Sequence, residues 1–314
     1  MNKRIFFIAS WISFLLLIIG TSACRYLIHL EKDHPPVVAE AEIRSIYIDN
    51  FKNILLNDQD EEELLQWVKN NDFNALSLYM SDILDCSDTN PIKIRLANFI
   101  KMAKMTYGIV EIIGVESTSK WFYTEDKNLS YLSMFTYNLN HIDLNERIDV
   151  FQLEDEWRNN NPSHNFKQFM NSLIPIFNAS KMLSPIVKTE VYVGNFGWWR
   201  PGHRAKNILQ NSDRIVLVNY RNEPSFSYAL NDLKTIAIAA QGLNKISNVI
   251  ILFSSLEDHC GLYFQSHRFE EAYQLFKEQY EMMRMEKQIP DVVEKFVKIR
   301  GYQIFTYSSA KKLR

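Results

Sequence analysis

The feature that most constrains this chain is a rhythm. Short apolar runs alternate with segments of helical spacing eight times between Ser45 and Tyr307. The runs are Ser45–Asn50 (SIYIDN), Ala75–Tyr79, Gly108–Val115 (GIVEIIGV), Ile148–Leu153 (IDVFQL), Thr189–Asn195, Arg214–Tyr220, Asn248–Ser254 and Gly301–Tyr307. Near-continuous apolar runs of this length read as strands buried on both faces, the kind found in parallel sheets. Between them lie helical patterns. Leu64, Leu65 and Val68 share one side of Glu61–Asn70, and Leu96, Phe99, Ile100 and Ala103 repeat at i, i+3, i+4, i+7 after Pro91. A helix is expected around Leu129–Tyr137 and another over Asn165–Met182, where Pro175 predicts a kink. Further helices open at Pro201, carry Leu230, Leu233, Ala237 and Ala240, and carry Phe269, Ala272, Tyr273, Phe276, Tyr280 and Met283, with a shorter one after Pro290.

Eight strands alternating with helices over residues 43–314 predict a single-domain (β/α)8 TIM barrel, a fold that typically takes ~250 residues. The competing architecture is an open doubly wound sheet. No Gly-rich phosphate loop follows any of the strands, which removes the usual nucleotide-binding version.

The first 24 residues read as an export signal: Lys3 and Arg4, an apolar stretch from Ile5 to Ile19, small residues, then Cys24. Thr21-Ser22-Ala23-Cys24 resembles a bacterial lipobox, which implies a lipidated Cys24 as the first mature residue, although Thr21 stands where a leucine is usual. The alternative is an uncleaved signal anchor, for which the run falls short of the ~20 apolar residues a spanning helix prefers unless Tyr26 to Leu30 extend it. Residues 25–42, with Pro35-Pro36, read as a tether. Both alternatives anchor the chain to a membrane and place the domain outside the cytoplasm, in the cell envelope. Cys86 and Cys260 then remain, and since their spacing demands no disulfide they are expected as free thiols.

In barrels of this kind the active site lies at the C-terminal ends of the strands. Alternate side chains of an extended segment share a face, so Gln152, Glu154 and Glu156 are expected on one side at the tip of the fourth strand. A polar row on a buried strand is costly unless it is used or well hydrogen-bonded. Glu257 follows strand seven as a second candidate acid. Asp49, Tyr79, Asn195, Tyr220 and Tyr307 end the remaining strands of interest as candidate ligand contacts. Tyr79, Trp198 or Trp199, Tyr220 and Tyr307 are expected to turn their rings into one groove at the strand C-termini. Trp198 and Trp199 offer a stacking platform, with one of the pair expected in the core because adjacent residues face opposite ways. Two neighbouring carboxylates resist joint ionisation, so Glu154 should raise the pKa of Glu156 and keep it a proton donor. The plainer alternative pairs these acids with Arg158, Arg200 or Arg204 in a structural network.

The fourth-strand segment resembles the signature of family 18 glycoside hydrolases, the chitinases and endo-β-N-acetylglucosaminidases, which runs Asp-x-x-Asp-x-Asp-x-Glu. Here Asp149, Gln152, Glu154 and Glu156 stand at those positions, and Trp157 where an aromatic is common. The resemblance implies Glu156 as general acid and Tyr220 as the strand-six tyrosine. Gln152 and Glu154 depart from the pattern, and a longer Glu154 at the orienting position puts the substrate-assisted mechanism in doubt. A weaker resemblance is to retaining glycosidases with an acid after strand four and a nucleophile after strand seven, which Glu156 and Glu257 would fill. On that reading their carboxyl groups would lie about 5–5.5 Å apart, against roughly 6.5–9.5 Å for inversion.

The expected function is therefore an envelope-anchored protein that cleaves or binds a glycan at the barrel mouth. The rivals are a non-catalytic glycan-binding or assembly lipoprotein and a surface scaffold without a carbohydrate role. A formal net charge of −2 and the lack of a basic block after the N-terminus argue against a nucleic-acid partner. His203 and His259 share no metal-ligand spacing with another His or Cys, and no cofactor motif is present.

Overall fold

The computed structural model describes residues 41–84, 91–117, 131–154, 162–197 and 200–313. Within the compact unit Glu42–Arg314, eight parallel strands close into a barrel in sequential order. They are β1 (Ile43–Ile48), β2 (Ala75–Tyr79), β3 (Glu111–Ser117), β4 (Val150–Glu154), β5 (Lys188–Val193), β6 (Arg214–Val218), β7 (Ser247–Ser254) and β8 (Val297–Phe305). The helices are α1 (Asp58–Asn70), α2 (Pro91–Tyr107), α3 (Tyr131–Asn140), α4 (Pro162–Met182), α5 (Pro201–Gln210), α6 (Phe226–Gly242), α7 (Phe269–Met285) and α8 (Asp291–Phe296), with shorter turns between. The predicted (β/α)8 architecture is the one found.

Local chemistry sets the helix starts. Asn57 caps α1 by accepting the Gln59 N–H at 3.0 Å, and Asp58, Asp60 and Glu61 complement the positive end of its dipole. Ser225 caps α6 by accepting from the Tyr228 N–H. α4 runs through Pro175 as one helix rather than breaking there.

The strands bury both faces, and the core has two compartments. Residues pointing outward, such as Ile46, Leu76, Ile112, Phe151, Val191, Leu217, Ile251 and Ile304, pack beneath the helices. Residues pointing inward, including Tyr47, Ala75, Ile113, Val150, Tyr192, Val216 and Leu252, fill the barrel. At the closing seam Gly301 pairs with Ile43 and holds φ at +146°, and any Cβ there would fall on the Ile43 carbonyl. Only glycine lets β8 approach β1 this closely.

Several strand limits differ from the sequence reading. β1 ends at Ile48, β5 at Val193, β6 at Val218 and β8 at Phe305, so Asp49, Asn195, Tyr220 and Tyr307 lie in the connections beyond the sheet. The reason is that apolar composition marks the buried core, whereas a strand ends where its hydrogen-bonding partner ends.

Candidate functional site at the barrel mouth

The inner face of β4 carries Val150, Gln152 and Glu154 in succession, from the middle of the barrel to its C-terminal rim. Gln152 is 2% exposed, and its Oε1 is buried with no hydrogen-bond partner among the described residues. Glu154 is half-buried at the rim, where the Tyr47 hydroxyl of β1 donates to its Oε2 at 3.0 Å. Rings share this inner compartment. Tyr79, Tyr220 and Phe305 are half-buried and pack on the inner cluster of Tyr47, Tyr192, Val218 and Leu252. Tyr47 and Phe305 lie 5.0 Å apart between centroids, Tyr220 and Phe305 6.1 Å, and Tyr220 and His259 4.7 Å.

These phenols are donors, not bases. Burial first, then the charge and hydrogen bond of Glu154, push the Tyr47 hydroxyl far above its ordinary value. Burial, its hydrogen bond with Tyr192 and the nearby Glu154 do the same for Tyr220. Both keep their protons at any physiological pH, and Tyr47 directs its single O–H at Glu154. The arrangement is thus one carboxylate in a collar of aromatic faces and hydroxyl donors.

The sequence candidates divide into four groups. Gln152, Glu154, Tyr79 and Tyr220 come together at the mouth. Glu156, Trp198, Trp199, Cys24 and Cys86 lie outside the described residues. Glu257 is exposed in a short π-helical turn after β7, two residues before His259. Asp49 and Tyr307 lie beyond the ends of β1 and β8. Asp49 Oδ1 accepts the Ser308 N–H at 3.1 Å, tying the end of β1 to the turn after β8. Tyr307 is 5% exposed in the outer compartment, edge-on to Trp67 at 5.2 Å, because the chain turns into a helix after Phe305. It therefore contributes no face to a groove, contrary to the expectation, and Phe305 takes the inward place on β8. Asn195 accepts the Gly197 N–H at 2.8 Å in the loop after β5.

Asp149, the first acid of the glycosidase-like signature, belongs to the opposite end of β4. It accepts the Ile112 N–H and pairs with Lys104, both at 2.8 Å, stitching β3 and α2 together. Arg204, one of the cations offered to Glu154 and Glu156, is buried and donates to the Phe196 carbonyl at 3.1 Å. Cys260 is a buried free thiol that donates to the Arg221 carbonyl, and burial pushes it up to about 12. Such a thiol is inert.

Sequence reasoning missed Tyr47, Tyr192 and Phe305. The period-two pattern was available: Ser45 and Tyr47 have the parity of the inner face, as do Glu190 and Tyr192. Attention to the last residue of each run selected Asp49 and Asn195 instead.

The N-terminal end of the barrel holds a second polar constellation that the sequence did not announce. Arg214 of β6 donates from Nη2 to Glu111 of β3 at 2.7 Å and from Nε to Glu190 of β5, and all three are almost fully buried. Lys188 reaches Glu111 from the rim at 3.3 Å. Burial pushes Glu111 up, but Arg214 and Lys188 outweigh it and hold that carboxyl below its usual range. Glu190 goes the other way, because complete burial and the neighbouring Glu111 outweigh Arg214. One fully buried guanidinium between two carboxylates neutralises one of them well and the other poorly. Among the described residues, no group of three or more His, Cys, Asp or Glu is placed to hold a metal ion.

No protein-family model matches the chain, and no curated protein matches it. Solved structures do. A family 5 glycoside hydrolase, GH5_18 from Bifidobacterium longum subsp. longum ATCC 55813 in complex with Manb1-4GlcNAc, is similar at a TM-score of 0.52 and 8% identity, over 85% of this chain and 69% of that one. A chitinase from Chromobacterium violaceum ATCC 12472 follows at 0.42 and 9%, over 68% and 69%. A protein from Toxoplasma gondii ME49 described as a deoxyribose-phosphate aldolase gives 0.47 and 12%, over 87% and 90%. At these identities the likeness is one of fold: the chain is a (β/α)8 barrel, similar in architecture to the Bifidobacterium structure.

Proposed function

We propose that this protein acts on a glycan at the C-terminal mouth of its barrel, as a glycoside hydrolase-like protein tethered at the cell envelope. The carrying observation is Glu154: a carboxylate at the inner tip of β4 that accepts from the Tyr47 hydroxyl, in a mouth where Tyr79, Tyr220 and Phe305 pack on the same inner cluster as Tyr47. Sugars present C–H faces that pack on aromatic rings and hydroxyls that pair with carboxylates and phenols. A barrel of this fold holds a disaccharide in the Bifidobacterium enzyme, which supports the choice of ligand class.

In the catalytic form of the proposal, Glu156 protonates the leaving-group oxygen. A carboxylate then stabilises the positive charge developing on the sugar ring. Glu154 suits that second role better than Glu257, since it stands on the inner face among the donors while Glu257 is exposed beyond β7. Tyr47 keeps its proton and directs it at Glu154, and Tyr220 offers a second protonated hydroxyl to a substrate oxygen. For location, the lipobox-like Thr21-Ser22-Ala23-Cys24 supports a lipid anchor on Cys24. Among the described residues no helix is long and apolar enough to cross a membrane.

The test is a screen of chitin, N-glycan and β-glucan oligosaccharides with wild type, Glu154→Gln, Glu156→Gln and Glu257→Gln. Loss of a general acid costs about 10²–10⁴-fold in rate, and that loss is expected for Glu156→Gln. Glu154→Gln should fall comparably, and Glu257→Gln should stay near wild type. Turnover that survives Glu156→Gln refutes the acid. Binding without turnover reduces the protein to a glycan-binding barrel.

A further inference from the structure

The mouth does not end at the aromatic collar. The connections after β5 and β6 enclose an open groove of about 940 Å³, and its wall begins at Arg221, the residue after Tyr220. Asn195 forms part of the opposite bank, and Asn231 and Asp232 of α6 line it from below.

The groove is built before any ligand arrives. The Phe196 N–H donates to Asp232 Oδ1 at 3.3 Å, fixing the β5 loop to α6. Asn219 brackets Ser225, donating to its carbonyl at 2.7 Å and accepting its N–H at 3.1 Å, so the β6 loop enters α6 at a set angle. The Arg221 guanidinium lies 3.9 Å above the Tyr228 ring centroid. That stack occupies the planar face of the guanidinium and leaves its N–H edge to donate. A prebuilt site spares a ligand the entropy of ordering its walls.

The lining decides the ligand class. Amides, carboxylates, two serine hydroxyls and one guanidinium offer donors and acceptors side by side, which suits hydroxyl groups that must both give and accept. Glu223 sets a carboxylate in the lining with Arg221, so the groove offers an anionic ligand no excess of positive charge. The polar lining gives a lipid or a flat aromatic molecule little to pack on. We infer that this groove is a second sugar subsite, taking neutral units of a chain whose principal unit sits against Tyr47, Glu154 and Tyr220. The inference rests on the glycan reading above and adds where the chain runs and which sugars it contains.

Calorimetric titration of the full-length protein with neutral oligosaccharides of chitin and mannan, from two to six units, tests it. Wild-type affinity should rise with length before levelling off. Ser227→Trp, which fills the groove from an exposed position on α6, and Asn231→Ala, which removes an amide, should lose that gain. The expected loss is about tenfold on the longer chains, with disaccharide affinity unchanged and thermal melting the same. Variants that bind long chains as wild type does overturn the subsite and leave the mouth standing. So does tighter binding of uronic-acid oligosaccharides of equal length. A wild-type protein that binds no oligosaccharide of any length brings down the glycan reading itself.

Discussion

The two ends of this barrel carry buried polar groups on the same inner faces, and they use them in opposite ways. At the N-terminal floor, Glu111, Glu190 and Arg214 are partners for one another, joined across three strands and almost wholly removed from water. At the C-terminal mouth, the carboxylate of Glu154 is half-exposed and met by a neutral phenol. A charge bonded by its opposite is spent on holding strands in place. A carboxylate that accepts from a phenol at the partly exposed rim lies where a ligand can reach it. β5 shows both roles within five residues: Lys188 and Glu190 belong to the floor, Tyr192 to the mouth.

The largest effect that would break this contrast is at the floor. Arg214→Met should cost about 3–5 kcal/mol of stability, because it leaves two buried carboxylates without their cation. Equilibrium denaturation measures this directly, and a loss below about 1 kcal/mol would mean the floor is not held by its ions.

A smaller effect should appear at the mouth and spare stability. Tyr47→Phe keeps the ring against Phe305 but deletes the donor to Glu154. Hydrogen bonds to charged groups are worth about 1.5–3 kcal/mol, so turnover or glycan affinity should fall about 10–100-fold while the melting temperature barely moves. A change in stability with no change in glycan handling would assign the bond to the fold instead.

The mildest test sharpens the contrast through pH. Glu190 holds its proton more tightly folded than unfolded, so its contribution to stability is present below the ordinary glutamate range. That contribution is lost as pH rises through the higher folded value. Glu111 has the reverse sign: its contribution is present above the ordinary range and is lost as pH falls through the lower folded value. Glu190→Gln should therefore flatten the decline of stability on the alkaline side of the glutamate range. Each tenfold by which folding tightens a carboxyl's hold on its proton corresponds to about 1.4 kcal/mol. The acid-side decline should persist. Melting curves across the pH range read both limbs, and an unchanged alkaline-side slope would place Glu190 outside the linkage.

Much of the barrel was legible in the sequence, since eight apolar runs separated by helical patterns leave few ways to bury both faces of every strand. Part of the site was legible too. The row Gln152 and Glu154 follows from the two-residue period of a strand and from the rule that barrel chemistry sits at strand C-termini. Tyr307 shows where that reasoning fails: composition carries an aromatic run past Phe305, but hydrogen bonding to the neighbouring strand stops there and the next ring turns outward to Trp67. Asp49 lies one residue beyond β1, where its carboxylate accepts the Ser308 N–H.

By itself, then, the sequence determined which segments are strands and helices, that they alternate, and that a polar row ends β4. These are local properties, fixed by side-chain periodicity and by capping residues such as Asn57 and Ser225. The tertiary structure alone decided which polar residues meet. Arg214 lies 103 residues from Glu111, and Tyr47 lies 107 from Glu154. Such pairs form because closing the barrel brings inward-facing positions of distant strands together, and no local pattern records a partner so far along the chain.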